Sequence, residues 1–268
     1  MSAIVFTTLI VTAIGLICGA ALAVIAKKFG IEEDPRIGTV ADMLPNVNCG
    51  VCGYAGCAAY AKSIVTGEAQ IGLCVPGGHE LVEKLEAVLG RRGTVAESRK
   101  AVILCNGSND VVKRRSDYNG VRDCYAANIV AGGDKSCSYG CLGYGTCIRA
   151  CSLGAIKIES GLAKIDYGIC RGCGLCAKVC PRNLIKVVPV QHKLHVLCSS
   201  QDKGAVVRKN CARGCIGCGI CVKLAATPNA DSGAITLKGS LAVVDYSKEP
   251  IVNDTILEKC PPKCICKI

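Results

Sequence analysis

The stretch CRGCGLCAKVCP, residues 170–181, decides how this chain is read. Its cysteines follow C-x2-C-x2-C-x3-C-P, the ligand spacing of one half of a bacterial-type two-cluster ferredoxin. A disulfide framework scatters its cysteines among loops. A zinc site takes paired C-x2-C knuckles separated by a longer loop, often with histidine. Only His79, His192 and His195 are present, and none sits at ligand spacing within a cysteine group. The run therefore points to [4Fe–4S] clusters on thiolates.

The rest of the chain fits that start. It has 23 cysteines in 268 residues, 4% aromatic residues, no Trp and two Phe. Small domains so poor in large apolar side chains are held by disulfides or metal. Tight cysteine groups favour metal, with the thiolates on a reduced, cytosolic side. The formal charge is +11. Each cluster with four thiolates contributes about −2, so four would bring the total to about +3. The basic excess is thus read as compensation for cluster charge. No basic run carries interleaved aromatics, so nucleic acid is not expected as a partner.

A repeat organises the C-terminal half. GAIKIESGLAKIDY (154–167) and GAITLKGSLAVVDY (233–246) each read as two short strands around a polar turn, preceded by a cysteine group. In the first unit the front half is Cys137-x3-Cys141-x5-Cys147-x3-Cys151, with Ser152 where proline is usual. In two-cluster ferredoxins the fourth cysteine of each half ligates the other cluster. One cluster is then expected on Cys137, Cys141, Cys147 and Cys180, the other on Cys170, Cys173, Cys176 and Cys151.

The second unit keeps Cys215, Cys218 and Cys221 but has Ala225 in the fourth place. Aligning the two Asp-Tyr pairs puts Glu249, Val252 and Thr255 where Cys170, Cys173 and Cys176 stand. All four ligands of one cluster are gone together, while Cys260-Pro261 matches Cys180-Pro181. One cluster is expected on Cys215, Cys218, Cys221 and Cys260, with Cys264 as the alternative fourth ligand.

Nearer the N-terminus, Cys49, Cys52, Cys57 and Cys74 form a further set, interleaved with Gly50, Gly53 and Gly56. Zinc is the alternative there, and the neighbouring ferredoxin units favour iron. Six soluble cysteines remain: Cys105, Cys124, Cys198, Cys211, Cys264 and Cys266. Separate buried cysteines are the preferred reading of the first four, and a fifth site on Cys105, Cys124, Cys198 and Cys211 is the alternative.

Residues 3–26 are 24 uncharged, mostly apolar residues followed by Lys27-Lys28. As a helix they span about 36 Å, against a hydrocarbon core of about 30 Å. No positive residue precedes the run, which argues against a secretory signal. The flanking lysines place the N-terminus outside and the cluster domains in the cytoplasm, at the cytoplasmic (inner) membrane.

The expected fold is α+β. A transmembrane anchor (1–28) and linker (29–38) precede a four-cysteine [4Fe–4S] domain with its helix (39–93). A connecting segment (94–133), a two-cluster ferredoxin unit (134–190) and a degenerate one-cluster unit (191–268) follow. Four clusters are expected.

The pieces LPNVNCGVCGYAGCAAYA, DCYAANIVAGGDKSCSYGCLGYGTCIRAC and CSSQDKGAVVRKNCARGCIGC resemble the B subunit of Rnf-type complexes, the membrane-bound ferredoxin:NAD oxidoreductases. The resemblance covers most of the chain. It implies an electron-transfer subunit of an ion-translocating enzyme, without substrate chemistry of its own. Electrons would come from soluble ferredoxin and go toward NAD, coupled to Na+ or H+ movement through other subunits of the membrane complex. No Gly-rich βα phosphate loop for NAD is present. The alternatives are a membrane-anchored polyferredoxin serving another reductase and a zinc-stabilised interaction module.

Overall fold

The computed structural model describes residues 2–29, 34–95, 97–225 and 234–268. Ser2–Phe29 form helix α1. Its Ile4–Ile25 window is long and apolar enough to cross a membrane, and none of it is buried against the rest of the chain. Thr8 and Thr12 turn their hydroxyls onto carbonyls one turn back, Ile4 O at 3.0 Å and Thr8 O at 2.8 Å. Hydrocarbon demands such internal satisfaction of polar groups. The acidic residues Glu32 and Glu33 of the expected linker lie outside the described residues.

The chain is helical again from Pro35, inside the range expected to be linker. Asp34 accepts a hydrogen bond from Arg36 N at 2.9 Å, and Pro35 opens helix α2, Pro35–Met43. A polar cap followed by proline is a helix start signal. Val40 and Leu44 from this segment pack on Tyr60 and Ile64 of α3 (Cys57–Thr66) and on Leu81 and Leu85 of α4 (Gly78–Leu89). The GRRG segment after α4 is also folded rather than a free linker. Arg91 hydrogen-bonds the Ile64 carbonyl, and Gly93 N donates to Glu86 Oε1 at 2.7 Å.

Two similar units follow. In the first, β1 (Arg99–Ile103) pairs antiparallel with β4 (Ile185–Pro189). A hairpin, β2 (Ile156–Glu159) and β3 (Leu162–Ile165), turns at Ser160 and Gly161, both at positive φ. Positive φ at both central residues matches the right-handed twist of the flanking strands. The short helices α5 (Cys124–Ile129), α6 (Thr146–Arg149) and α7 (Leu175–Lys178) carry cysteines. The segment expected to be merely connecting thus supplies β1 to the first unit's own sheet.

The second unit repeats the plan. β5 (Leu194–Val196) pairs with β8 (Ile265–Lys267), and β6 (Ile235–Lys238) with β7 (Leu241–Val244). Helices α8 (Gly204–Asn210), α9 (Ile220–Ala225) and α10 (Thr255–Lys259) complete it. Residues 226–233, including Pro228 and the first residue of the second repeat, lie outside the described residues.

Each ferredoxin core is thin. The first is built from Ala101, Ile103, Ile156, Ala163, Ile165 and Ile185 around Cys147 and Cys176, with no aromatic ring. The cysteine loops must therefore approach the strands closely. Gly172 has φ +67°, and a Cβ there would run into the Arg99 carbonyl of β1. Gly143 and Gly217 meet the carbonyls of Gly161 and Ser240 in the same way. We expect Gly172→Ala to cost roughly 2–5 kcal/mol, from left-handed strain plus overpacking. A thermal melt of the anaerobic protein followed by circular dichroism would measure it.

Candidate metal centres

Cys151, Cys170, Cys173 and Cys176 line one cavity, under β1 and the first hairpin. Backbone amides point at two of the sulfurs, Ala155 N at 3.4 Å from Cys151 Sγ and Ala101 N at 3.5 Å from Cys170 Sγ. This is the foursome expected from the crossed ferredoxin scheme. α6 and α7 face each other, so Cys147 and Cys176 also come near one another.

The partner cavity has a lining that differs from the expected grouping. It is lined by Cys124, Cys141, Cys147 and Cys180, and Cys137 is not among them. Cys137 lines a separate cavity with Cys105, Cys198 and Cys211. The physical reason lies in the loop CLGYGTC. Gly143 and Gly145 hold left-handed backbone at φ +78° and +75°. Gly172 and Gly174 do so around Cys173, and Gly217 and Gly219 around Cys218. Tyr144 therefore occupies the position of the second cysteine, and the front half is C-x2-Y-x2-C-x3-C beginning at Cys141. Cys124, at the start of α5, lines this cavity beside Cys141, Cys147 and Cys180.

A polar clasp holds Cys124 there. Asp123 caps α5, accepting from Tyr125 N at 2.8 Å and Ala126 N at 3.3 Å. Its other oxygen accepts from Thr146 Oγ1 at 2.8 Å and pairs with Arg149, both on α6. Thr146 Oγ1 in turn accepts from Cys124 N at 2.9 Å. The helix bearing Cys147 thus fixes the helix bearing Cys124.

In the second unit Cys215, Cys218, Cys221 and Cys260 line one cavity, together with Cys264. Lys263 and Asn183 share left-handed backbone three residues after Cys260 and Cys180. That register equates Cys260 with Cys180 and Cys264 with Leu184. It also puts Ile256, 1% exposed, in the place of Cys176, where the Asp-Tyr alignment puts Thr255. Cys264 lies 3.7 Å from Cys260. Its thiol hydrogen-bonds Cys260 and Cys215 and holds both at about 6, while its own pKa is driven up.

The N-terminal set gathers around α3. Cys57 and Cys74 are buried, Cys49 and Cys52 half-buried, and Cys74 lies within electrostatic reach of the other three. Asn48 Oδ1 accepts from Cys57 N at 2.8 Å. The Tyr60 hydroxyl donates to Gln70 O at 3.0 Å and accepts from Leu73 N at 3.1 Å, fixing the loop before Cys74. Lys178 Nζ donates to Cys49 O at 3.3 Å, which ties this domain to the first ferredoxin unit.

The thiols of each set ring a cavity. Burial pushes Cys147 and Cys176 up to about 12 and Cys74 and Cys221 up to about 11, and neighbouring cysteines add to it. Four thiolates in such a place need a cationic core between them.

The reverse signature is also present. Lys135 is 1% exposed, and its ammonium donates only to Gly107 O at 2.9 Å and Gly161 O at 2.6 Å. The half-buried Arg182 guanidinium donates to the carbonyls of Gly132, Cys137 and Gly140. Among the described residues neither pairs with a carboxylate. Buried cations need anionic partners, and the nearest are the sulfurs of Cys105, Cys137 and Cys141.

We expect Asp123→Ala to weaken the clasp by about 0.5–2 kcal/mol, the usual loss for an N-cap. EPR of the reduced protein should show one cluster signal broadened and lost first on air exposure, with the others retained.

Two family models match, "Putative Fe-S cluster" over residues 44–76 and "4Fe-4S binding domain" over residues 163–186. Curated relatives match almost end to end. The B subunit of the proton-translocating ferredoxin:NAD(+) oxidoreductase complex of Clostridium ljungdahlii is 41% identical, over 99% of this chain and 93% of that protein. The B subunit of the Na(+)-translocating complex of Acetobacterium woodii is 39% identical, over 99% and 78%. The B subunit of the ion-translocating oxidoreductase complex of Methanosarcina acetivorans is 37% identical, over 99% of each. With these identities over nearly its whole length, the chain belongs to the B-subunit family of Rnf-type ion-translocating ferredoxin:NAD oxidoreductase complexes.

Proposed function

We propose that this chain is the electron-transfer subunit of a membrane-bound Rnf-type complex. It accepts electrons from reduced soluble ferredoxin and delivers them toward NAD reduction coupled to Na+ or H+ translocation. [4Fe–4S] clusters supply the one-electron chemistry when bound, and this chain's residues hold, space and insulate them. The ligand sets are Cys49, Cys52, Cys57 and Cys74; Cys151, Cys170, Cys173 and Cys176; Cys124, Cys141, Cys147 and Cys180; and Cys215, Cys218, Cys221 and Cys260. α1 anchors the chain in the cytoplasmic membrane with the cysteine domains on the cytoplasmic side.

The observation that carries this reading is that the sets adjoin. Cys49 lies within electrostatic reach of Cys173, and Cys147 within reach of Cys176. Away from α1, Cys218 is the one exposed cysteine among the described residues, and it belongs to the set farthest along the chain from the anchor. A sulfur at the surface there suits entry of electrons from a soluble carrier, with exit near the membrane.

Anaerobic analysis of the purified full chain should find iron and sulfide in equal amounts, about four of each per cluster. Reduced ferredoxin should bleach its visible absorption. Zinc in place of iron, or no bleaching, would overturn the reading. Isolation from native membranes should bring polytopic partner subunits along, which a lone polyferredoxin would not. Cys260→Ala should remove one EPR signal of the reduced protein and leave the others. Retention of that signal, with its loss in Cys264→Ala, would reassign the fourth ligand.

A further inference from the structure

Cys105, Cys137, Cys198 and Cys211 have no place in the four sets above, yet they line one cavity. It has about the same volume, 30 Å³, as the cavity of Cys124, Cys141, Cys147 and Cys180. A Cβ on Gly107 would touch Cys105 Sγ at 3.4 Å and Cys211 Sγ at 3.8 Å. One on Gly140 would touch Cys137 Sγ at 3.5 Å and Cys105 Sγ at 3.8 Å. Two glycines thus keep side chains out from between three of the sulfurs.

The four residues come in two related pairs. Cys105 stands two residues after β1, and Cys198 two residues after β5, the matching strand of the second unit. Cys137 precedes Cys141 by the same x3 spacing with which Cys211 precedes Cys215. Each ferredoxin unit therefore gives two cysteines from equivalent positions to the seam between the units. A small bridge holds the seam shut, with Val112 paired to Cys211 and Arg114 to Lys135.

The local turns match those of the other sets. Cys105 Sγ accepts from Gly107 N at 3.4 Å, two residues on. The amides of Ser200 and Arg213 face Cys198 and Cys211 in the same i+2 arrangement, as Gly143 and Gly217 face Cys141 and Cys215. Amide donors onto sulfur are a feature of cluster thiolates. Buried Lys135 and half-buried Arg182, cations without carboxylate partners among the described residues, flank this cavity.

From this geometry we infer that Cys105, Cys137, Cys198 and Cys211 hold a fifth [4Fe–4S] cluster at the seam between the two ferredoxin units. The site rests on the electron-transfer reading and extends it. On one side, Cys141 N donates to Cys105 Sγ at 3.3 Å; on the other, Cys215 N faces Cys198 Sγ. A ligand of each neighbouring set thus hydrogen-bonds a ligand of the seam. The fifth site links the second unit's single set to the pair in the first unit, and it staples the units together.

Iron counts on the full chain test it. The wild type should hold about 20 Fe and 20 sulfide rather than about 16, and this number depends on no variant folding. Cys198→Ser and Cys211→Ser should each lose about four Fe. Cys137→Ser combined with Cys198→Ser should lose no more than either alone. Cys124→Ser combined with Cys198→Ser should lose about eight. A wild type holding about 16 Fe, or a Cys198→Ser variant with undiminished iron, overturns the fifth cluster and leaves the other four standing. One zinc per chain, lost in Cys198→Ser, overturns it as well. A wild type without iron fails the electron-transfer reading itself.

Discussion

A thiolate buried away from water is unstable unless a cation lies beside it. That constraint shapes this protein outside its apolar helix. Burial drives Cys147 and Cys176 far up from the ordinary thiol range, and each sits in a core of alanine and isoleucine with no aromatic ring. Such a core buries too little apolar surface to fold a unit of this size alone. Iron bound by four thiolates resolves both problems at once. It neutralises the buried charge, and its binding energy becomes folding energy because an unfolded chain presents no assembled site. The same balance explains Lys135 and Arg182. Each is costly where it stands if the sulfurs beside it are neutral thiols. Beside a core and ligands carrying about −2, each is favourable.

The cysteine sets form a series. Cys49 is within electrostatic reach of Cys173 and Cys176 of Cys147, and backbone amides of Cys141 and Cys215 hydrogen-bond Cys105 and Cys198. Duplication of one unit produces this order cheaply. Each unit carries its own front-half loop and hairpin, and the cysteines left over at equivalent positions meet where the copies face each other. The relatives in C. ljungdahlii and A. woodii are named for different ions yet match this chain almost equally well.

Much of this was legible in the sequence because ligand spacing is a local property. C-x2-C-x2-C-x3-C-P forces three sulfurs around one corner, and the structure gathers Cys151, Cys170, Cys173 and Cys176 as that spacing demands. Both hairpins were equally local. Pairings across long stretches of chain were not. β1 meets β4 beyond all the front-half cysteines, and nothing local to the apolar run KAVILC (100–105) names that partner. The cavity lined by Cys124 where Cys137 was expected is the instructive case. Counting cysteines backward from Cys151 reaches Cys137, and the count looks complete. The glycines carry the better signal. In Gly143-Tyr144-Gly145 they mark the turn that a second cysteine occupies in the other two loops, so Tyr144 marks a gap in the ligand set that a distant residue must fill.

The gap in the second unit is filled differently. There a whole cluster's ligands are absent, and the space they would enclose is packed. Ala225 is buried where Cys151 would stand, and Ile256 is buried where Cys176 would stand. Both belong to one cluster of side chains with Leu241, Val244 and Ile265. Removing a cube and leaving its cavity would cost on the order of several kcal/mol in lost contacts, as any large void does. Replacing the sulfurs by alkyl groups of suitable volume avoids that cost and leaves no thiol to be oxidised. The remaining cavity of that unit keeps Cys260, at the C-terminal end of α10 beyond the packed half. Retention of Cys260 beside the loss of the other back-half cysteines follows from the crossing: of the four, it alone serves the cluster that remains.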